Sequence, residues 1–240
     1  MIRDLRRVFL ILILFFLVSC SNSEPAIVKV NTPPEEVTDE PELIEELVND
    51  EEVDEFIEFK LNDEILRVNL KQIPILSAYL HAAEDRQSII EQMGIQQMVN
   101  KEENSIYLLE FACLEDQCSY LLLDESSENT GLLVADLASF EQATVSPEQS
   151  KLLLKFTRES NYEYPLSNAV VVDLENWEVL PLENETITNN LFDFQWPILS
   201  VNWIDDETIS ISIPETLETN KEHPDNTNDK VNEVIFKVGK

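Results

Sequence analysis

Seven short segments between residues 106 and 238 decide most of what this chain can become. They are IYLLEF (106–111), SYLLLD (119–124), GLLVADL (131–137), KLLLKF (151–156), NAVVVDL (168–174), TISISI (208–213) and EVIFKV (233–238). Each is apolar and too short for a buried helix, and each is bounded by polar turn residues, which is the signature of a strand. They also fall into pairs: SYLLLD with GLLVADL, KLLLKF with NAVVVDL, and TISISI with EVIFKV each read as one antiparallel hairpin.

Upstream, Phe56–Leu61 and Glu64–Leu70 flank an Asn62-Asp63 turn and read as a further hairpin. Pro74 suits a first helical turn, and Ile75, Tyr79 and Leu80, then Ile89, Ile90 and Met93, recur at helical spacing. The spacing predicts one or two helices between Pro74 and Val99, broken near Glu84–Arg86 and again at Gly94. The expected fold class is therefore α+β, mainly β. A hairpin-plus-helix part (56–100) precedes antiparallel hairpin repeats (105–240), together one globular domain over 56–240. Those roughly 185 residues suffice for one sizeable core. Only three glycines occur in the chain, which excludes a nucleotide-binding glycine fingerprint and a phosphate-cradling loop. No serine has the glycine-flanked setting of a nucleophile elbow.

Val145-Ser146-Pro147-Glu148-Gln149-Ser150-Lys151-Leu152, followed by Ala169-Val170-Val171-Val172-Asp173-Leu174, resembles the blade repeat of TolB-like β-propellers. There a Trp-Ser-Pro-Asp-Gly-type turn leads into one strand and a Tyr-Val-Val-Asp-Leu-type strand follows. Val201-Asn202-Trp203-Ile204-Asp205-Asp206-Glu207-Thr208-Ile209 is similar to the next copy, with Trp203 at the aromatic position. Glu148 and Gln149 stand where the family prefers Asp-Gly, and Ile204 replaces the turn serine. The matching region covers two to three blades, and a closed propeller needs at least four. The resemblance thus implies an incomplete propeller-like sheet, with a two-layer sandwich as the alternative, and a role in protein interaction.

Residues 1–20 read MIRDLRRVFLILILFFLVSC. Arg3, Arg6 and Arg7 precede an apolar run of about eleven residues, too short for a bilayer span of roughly 20. A basic flank, a short apolar core and a small residue at the end describe a secretory signal over 1–19. Leu17-Val18-Ser19-Cys20 resembles the lipobox of bacterial lipoproteins. The resemblance implies cleavage before Cys20 and a diacylglycerol on its thiol, and two acyl chains suffice for stable anchoring. The implied partner is the membrane, and the implied location is the extracytoplasmic face of the cell membrane. In a Gram-negative cell that location is the periplasmic face of the outer membrane.

The chain holds 48 acidic and 16 basic residues, a formal charge of −32. Nucleic acid and anionic lipid surfaces would be repelled, so no nucleic-acid partner is expected. More than half of the positions from Glu35 to Glu55 are acidic, and none is Lys or Arg. With Pro25, Pro33, Pro34 and Pro41 in the same stretch, residues 20–55 read as an extended, self-repelling tether. Leu43, Ile44, Leu47 and Val48 fall at helical spacing within it and mark a transient helix.

Cys113 and Cys118 lie in EFACLEDQCSYLLL and would face each other across a hairpin mouth. Outside the cytoplasm that spacing reads as a disulfide, with two free thiols as the alternative. The only histidines, His81 and His223, have no close spacing, so no metal site is predicted, and no residue pattern calls for a cofactor. Asp225, Thr227 and Asp229 imitate three ligands of a calcium loop, but Lys230 and Phe236 occupy the glycine and glutamate places. Phe194 and Trp196, in FDFQWP, are the candidates for an exposed binding surface, and Trp203 reads as blade core. No catalytic residue is nominated. The expected function is a lipid-anchored, extracytoplasmic binding or assembly protein with an envelope-protein partner. The alternatives are an envelope hydrolase working through carboxylates and a cation-responsive wall-associated protein.

Overall fold

The computed structural model describes residues 25–30, 40–49, 52–61, 64–100, 105–126, 130–184, 191–217 and 230–239. The signal segment, Cys20, the Asn62-Asp63 turn and the loop with His223, Asp225, Thr227 and Asp229 lie outside the described residues. The fold is α+β, mainly β, and every strand pairing is antiparallel.

The first sheet has the order β1-β4-β3-β2, from β1 (Ile27–Val30), β2 (Glu42–Asn49), β3 (Glu52–Leu61) and β4 (Glu64–Asn69). Two of these strands, and the start of a third, lie in the segment read above as a tether. That reading is corrected: Glu42–Asn49 is a strand, not a helix, and the sheet reaches upstream to Ile27. The sequence ELIEELVN fits either period, and the sheet decides between them because Leu43, opposite Ile57, packs on the core. The acidity is accommodated by cations from outside the pair. Glu42 faces Glu58 and Glu45 faces Glu55, like-charge pairs that weaken a ladder. Arg67 on β4 bonds Glu58 and Glu46 at 2.6 Å each, and Arg86 bonds Glu55 at 2.9 Å.

Asn69 caps a single 3₁₀ turn, Leu70–Gln72, which leads into α1 (Pro74–His81), and Asp85 caps α2 (Arg86–Ile90). The buried face of α1 carries Leu76 and Leu80, while Ile75 points outward. Gly94 does not break a helix as expected. It opens β5 (Gly94–Val99), the edge strand of a seven-stranded sheet. That sheet continues through β6 (Ile106–Leu114), β7 (Gln117–Asp124), β8 (Leu132–Val145), β9 (Lys151–Arg158), β10 (Leu166–Asp173) and β11 (Glu178–Leu180).

β8 belongs to two half-sheets. Its residues up to Ala138 pair with β7 and those from Ser139 pair with β9. The corner is at Leu137, with φ 45°, and bent strands of this kind let a chain pass between packed layers. Arg158 holds the corner: its Nε donates to Leu137 O at 2.8 Å and its Nη2 to Asp136 O at 2.6 Å. The last sheet has the order β12-β15-β14-β13, from β12 (Leu182–Glu183), β13 (Ser200–Asp205), β14 (Thr208–Pro214) and β15 (Val231–Val238).

Three buried clusters show that these four four-stranded units stack in a row. Tyr107, Leu109, Phe111, Leu121 and Leu123 pack on the first sheet and the helices. Their neighbours Ile106, Leu108, Tyr120 and Leu122 point the other way, against Leu152, Leu154, Phe156, Val170 and Val172. Leu153, Ala169 and Val171 in turn meet Ile209, Ile211 and Phe236 of the last sheet. Central strands are therefore apolar on both faces, which is why runs such as SYLLLD and NAVVVDL replace alternation in this sequence. The ends are capped. Arg67 covers Phe56 on the outer face of the first sheet, at 5.2 Å from the ring. Ser210 bonds Glu233 on the outer face of the last. No buried cluster joins first and last sheets among the described residues, and the row is open.

Candidate functional site

The feature with chemical content is the mouth of the β6–β7 hairpin. Leu114 pairs with Gln117 around a two-residue turn, Glu115-Asp116, with Glu115 at φ 55°. Behind the turn the register slips between Phe111 and Leu114, and Ala112 takes φ 51°. This bulge lets Cys113 meet Cys118 instead of staying in ladder register, and the two are joined as a disulfide with S–S 2.13 Å and Cα–Cα 4.0 Å. Cys118 is 4 % exposed, and Cys113 is half-buried.

The disulfide forms part of the wall of a cavity of about 500 Å³. Tyr120, 2 % exposed, lies beside it, its ring tilted against Phe156 at 5.2 Å and Phe140 at 6.3 Å between centres. Its hydroxyl accepts the Phe140 N–H at 3.2 Å. Burial pushes the phenol up to about 12, with the Glu110 carboxylate adding to the rise, so it stays protonated at neutral pH. Glu110 Oε1 also lies 3.8 Å from Cys113 Sγ. The far wall comes from β8, where Ser139 donates to Asp116 O at 2.7 Å and ties the turn down. Gln92, just after α2, closes the side. Glu110, Glu115 and Asp116 line the opening and no Lys, Arg or His does, so its field attracts cations and repels anions.

Other predicted residues lie elsewhere. Phe194 and Trp196 do not form an exposed surface, which corrects that expectation. Phe194 is half-buried with the Arg158 guanidinium 3.8 Å from its ring centre. Trp196 is half-buried against the last sheet, and its backbone carbonyl accepts from Ser167 N at 3.0 Å. Both are drawn in because the loop crosses β10 and needs Asn168 and Ser167 to satisfy its backbone. Trp203 packs against the buried cluster between the third and fourth units and donates to Thr144 O at 3.1 Å. His81 is exposed on α1, with Nδ1 2.8 Å from Ser77 O and Nε2 3.9 Å from Glu55. Asp205 and Asp206 cap turns and do not converge: Asp205 accepts Glu207 N–H at 2.9 Å and Asp206 accepts Glu148 N–H at 2.8 Å.

Glu110 and Tyr120 were not singled out from sequence. Their place in the cavity depends on the bulge and on Ser139 and Phe140, about twenty to thirty residues downstream, and no local spacing signals that. Compared with known protein families, curated proteins and solved structures, the chain matches none.

Proposed function

We propose that this chain is a lipid-anchored binding or assembly protein on the extracytoplasmic side of a cell envelope, acting without catalysis. The disulfide between Cys113 and Cys118 carries the reading, because such bonds persist where the surroundings are oxidising. The lipobox-like Leu17-Val18-Ser19-Cys20 supplies the anchor in this reading. Lipidation of Cys20 also leaves an even pair of cysteines for the bond.

The fold changes the expected reach. With β1 starting at Ile27, seven residue steps separate the anchor from the first strand, at most about 25 Å of extended chain. The acidic stretch is built into the first sheet, so the row of sheets is held close to the bilayer and presents its sides to a membrane neighbour. The test is expression of the full chain with labelled fatty acid, followed by mass spectrometry of the N-terminal peptide. Acyl chains on Cys20, and release to the soluble fraction in Cys20→Ser, are expected. Recovery of a processed chain without acyl groups would overturn the anchoring.

A further inference from the structure

We propose that Glu110, Cys113 and Cys118 form a thiolate site for a soft divalent cation such as Zn²⁺, closed by the disulfide and opened by a dithiol reductant. The ligand atoms of these three residues lie within 4.8 Å of one another, on neighbouring strands. Two sulfurs and a carboxylate are a donor set suited to Zn²⁺, with water completing the tetrahedron at an open cavity. Two cysteines with four residues between them in a turn also fall within the usual ligand spacing.

The chemistry of opening balances. A dithiol gives two electrons and two protons, the Cys113–Cys118 bond breaks, two S–H groups form, and the reductant becomes its own disulfide. The cation then displaces both thiol protons as two S–metal bonds form. Reoxidation by a disulfide-class oxidant breaks those bonds, restores the S–S bond and expels the ion.

Three further observations favour the site. Side-chain rotation after reduction lets the sulfurs part to about 3.8 Å, the edge of a tetrahedron with Zn–S near 2.3 Å. The hairpin does not depend on the bond for its register, because Ile106 to Phe111 pair continuously with Asp124 to Ser119. Glu115 and Asp116 at the rim draw a cation in.

The test uses the full chain in detergent with Cys20→Ser, so that only two thiols remain, and Cd²⁺ as the probe. The phosphine-reduced protein is expected to take one Cd²⁺ with an ultraviolet sulfur-to-cadmium charge-transfer band, removed by excess Zn²⁺. The oxidised protein should show no such band. Glu110→Gln should weaken Cd²⁺ binding at least tenfold with the band retained at saturation, and Cys118→Ser should lose the band. Absence of the band in reduced protein that keeps its circular dichroism would overturn the site, and so would unfolding on reduction. Unchanged Cd²⁺ affinity in Glu110→Gln would remove Glu110 as a ligand and overturn the three-ligand site. These readouts are independent of whether Cys20 is acylated.

Discussion

Gln149→Gly is expected to stabilise this protein, although glycine usually weakens a fold. Gln149 is exposed in the turn between β8 and β9 and sits at φ 58°. It occupies the place that the resembled blade repeat fills with glycine. A non-glycine residue in the left-handed region costs roughly 1–2 kcal/mol. Glycine there gives back about 0.5–1 kcal/mol through the greater freedom of its unfolded chain. The net gain is about 0.5–1 kcal/mol, or a rise of roughly 1–4 °C in Tm for a domain of this size. Three bonds that shape the turn do not involve the Gln149 side chain. Gln149 N–H donates to Ser146 O at 2.9 Å, Lys151 N–H to Ser146 Oγ at 3.3 Å, and Glu148 N–H to Asp206 at 2.8 Å. Glu148→Gly is the matched control, since Glu148 is equally exposed and has no positive φ. It should lose about 0.5–1 kcal/mol. Urea unfolding with an unchanged slope measures both. If Gln149→Gly is no more stable than the parent, or falls level with Glu148→Gly, the strain argument fails.

Three other outcomes are expected. Arg158→Ala should cost about 2 kcal/mol in urea unfolding, because two charged hydrogen bonds at the β8 corner and the stacking on Phe194 go together. Arg158→Lys should recover less than half, since a single ammonium cannot reach both Asp136 O and Leu137 O in the geometry of the fork. On the acid side, hydrogen bonds from Ser146 and the Glu148 amide hold the Asp206 carboxyl below its usual range. Its contribution is complete above the unfolded value of about 3.9 and disappears as pH falls through the lower folded value. The stability gap between the parent and Asp206→Asn should therefore be constant above about pH 5 and shrink below pH 4. On the alkaline side, Tyr120 rises from 10.0 to about 12, so the folded state keeps a proton that the unfolded state loses. Stability should decline between those values, less steeply in Tyr120→Phe, as followed by fluorescence-detected unfolding.

The sequence was informative wherever one local period had one meaning. KLLLKF and NAVVVDL announced strands because branched residues in six-residue runs between polar turns fit nothing else. Their burial on both faces is the same fact seen in space. ELIEELVN and GIQQMV were misleading for a shared reason: each is short, and its partner strand, not its own pattern, selects the extended form. Acidity also hid the first sheet, since what neutralises Glu58 and Glu55 lies on β4 and α2. The disulfide pair was visible from spacing and turn. The cavity around it was not, because Ala112 and Leu137 both take positive φ without being glycine. That is how a chain with three glycines makes corners that composition does not advertise.

The shared strand β8 sets which units of the row respond as one. The second and third units are threaded by one backbone and bonded on both of its edges, so they move as one block. The first unit packs on that block through the buried cluster around Tyr107, Leu109 and Leu121, and the last through the cluster around Leu153, Ala169 and Val171. A change at the β8 corner therefore reaches the second and third units together, and through their shared cores the outer two.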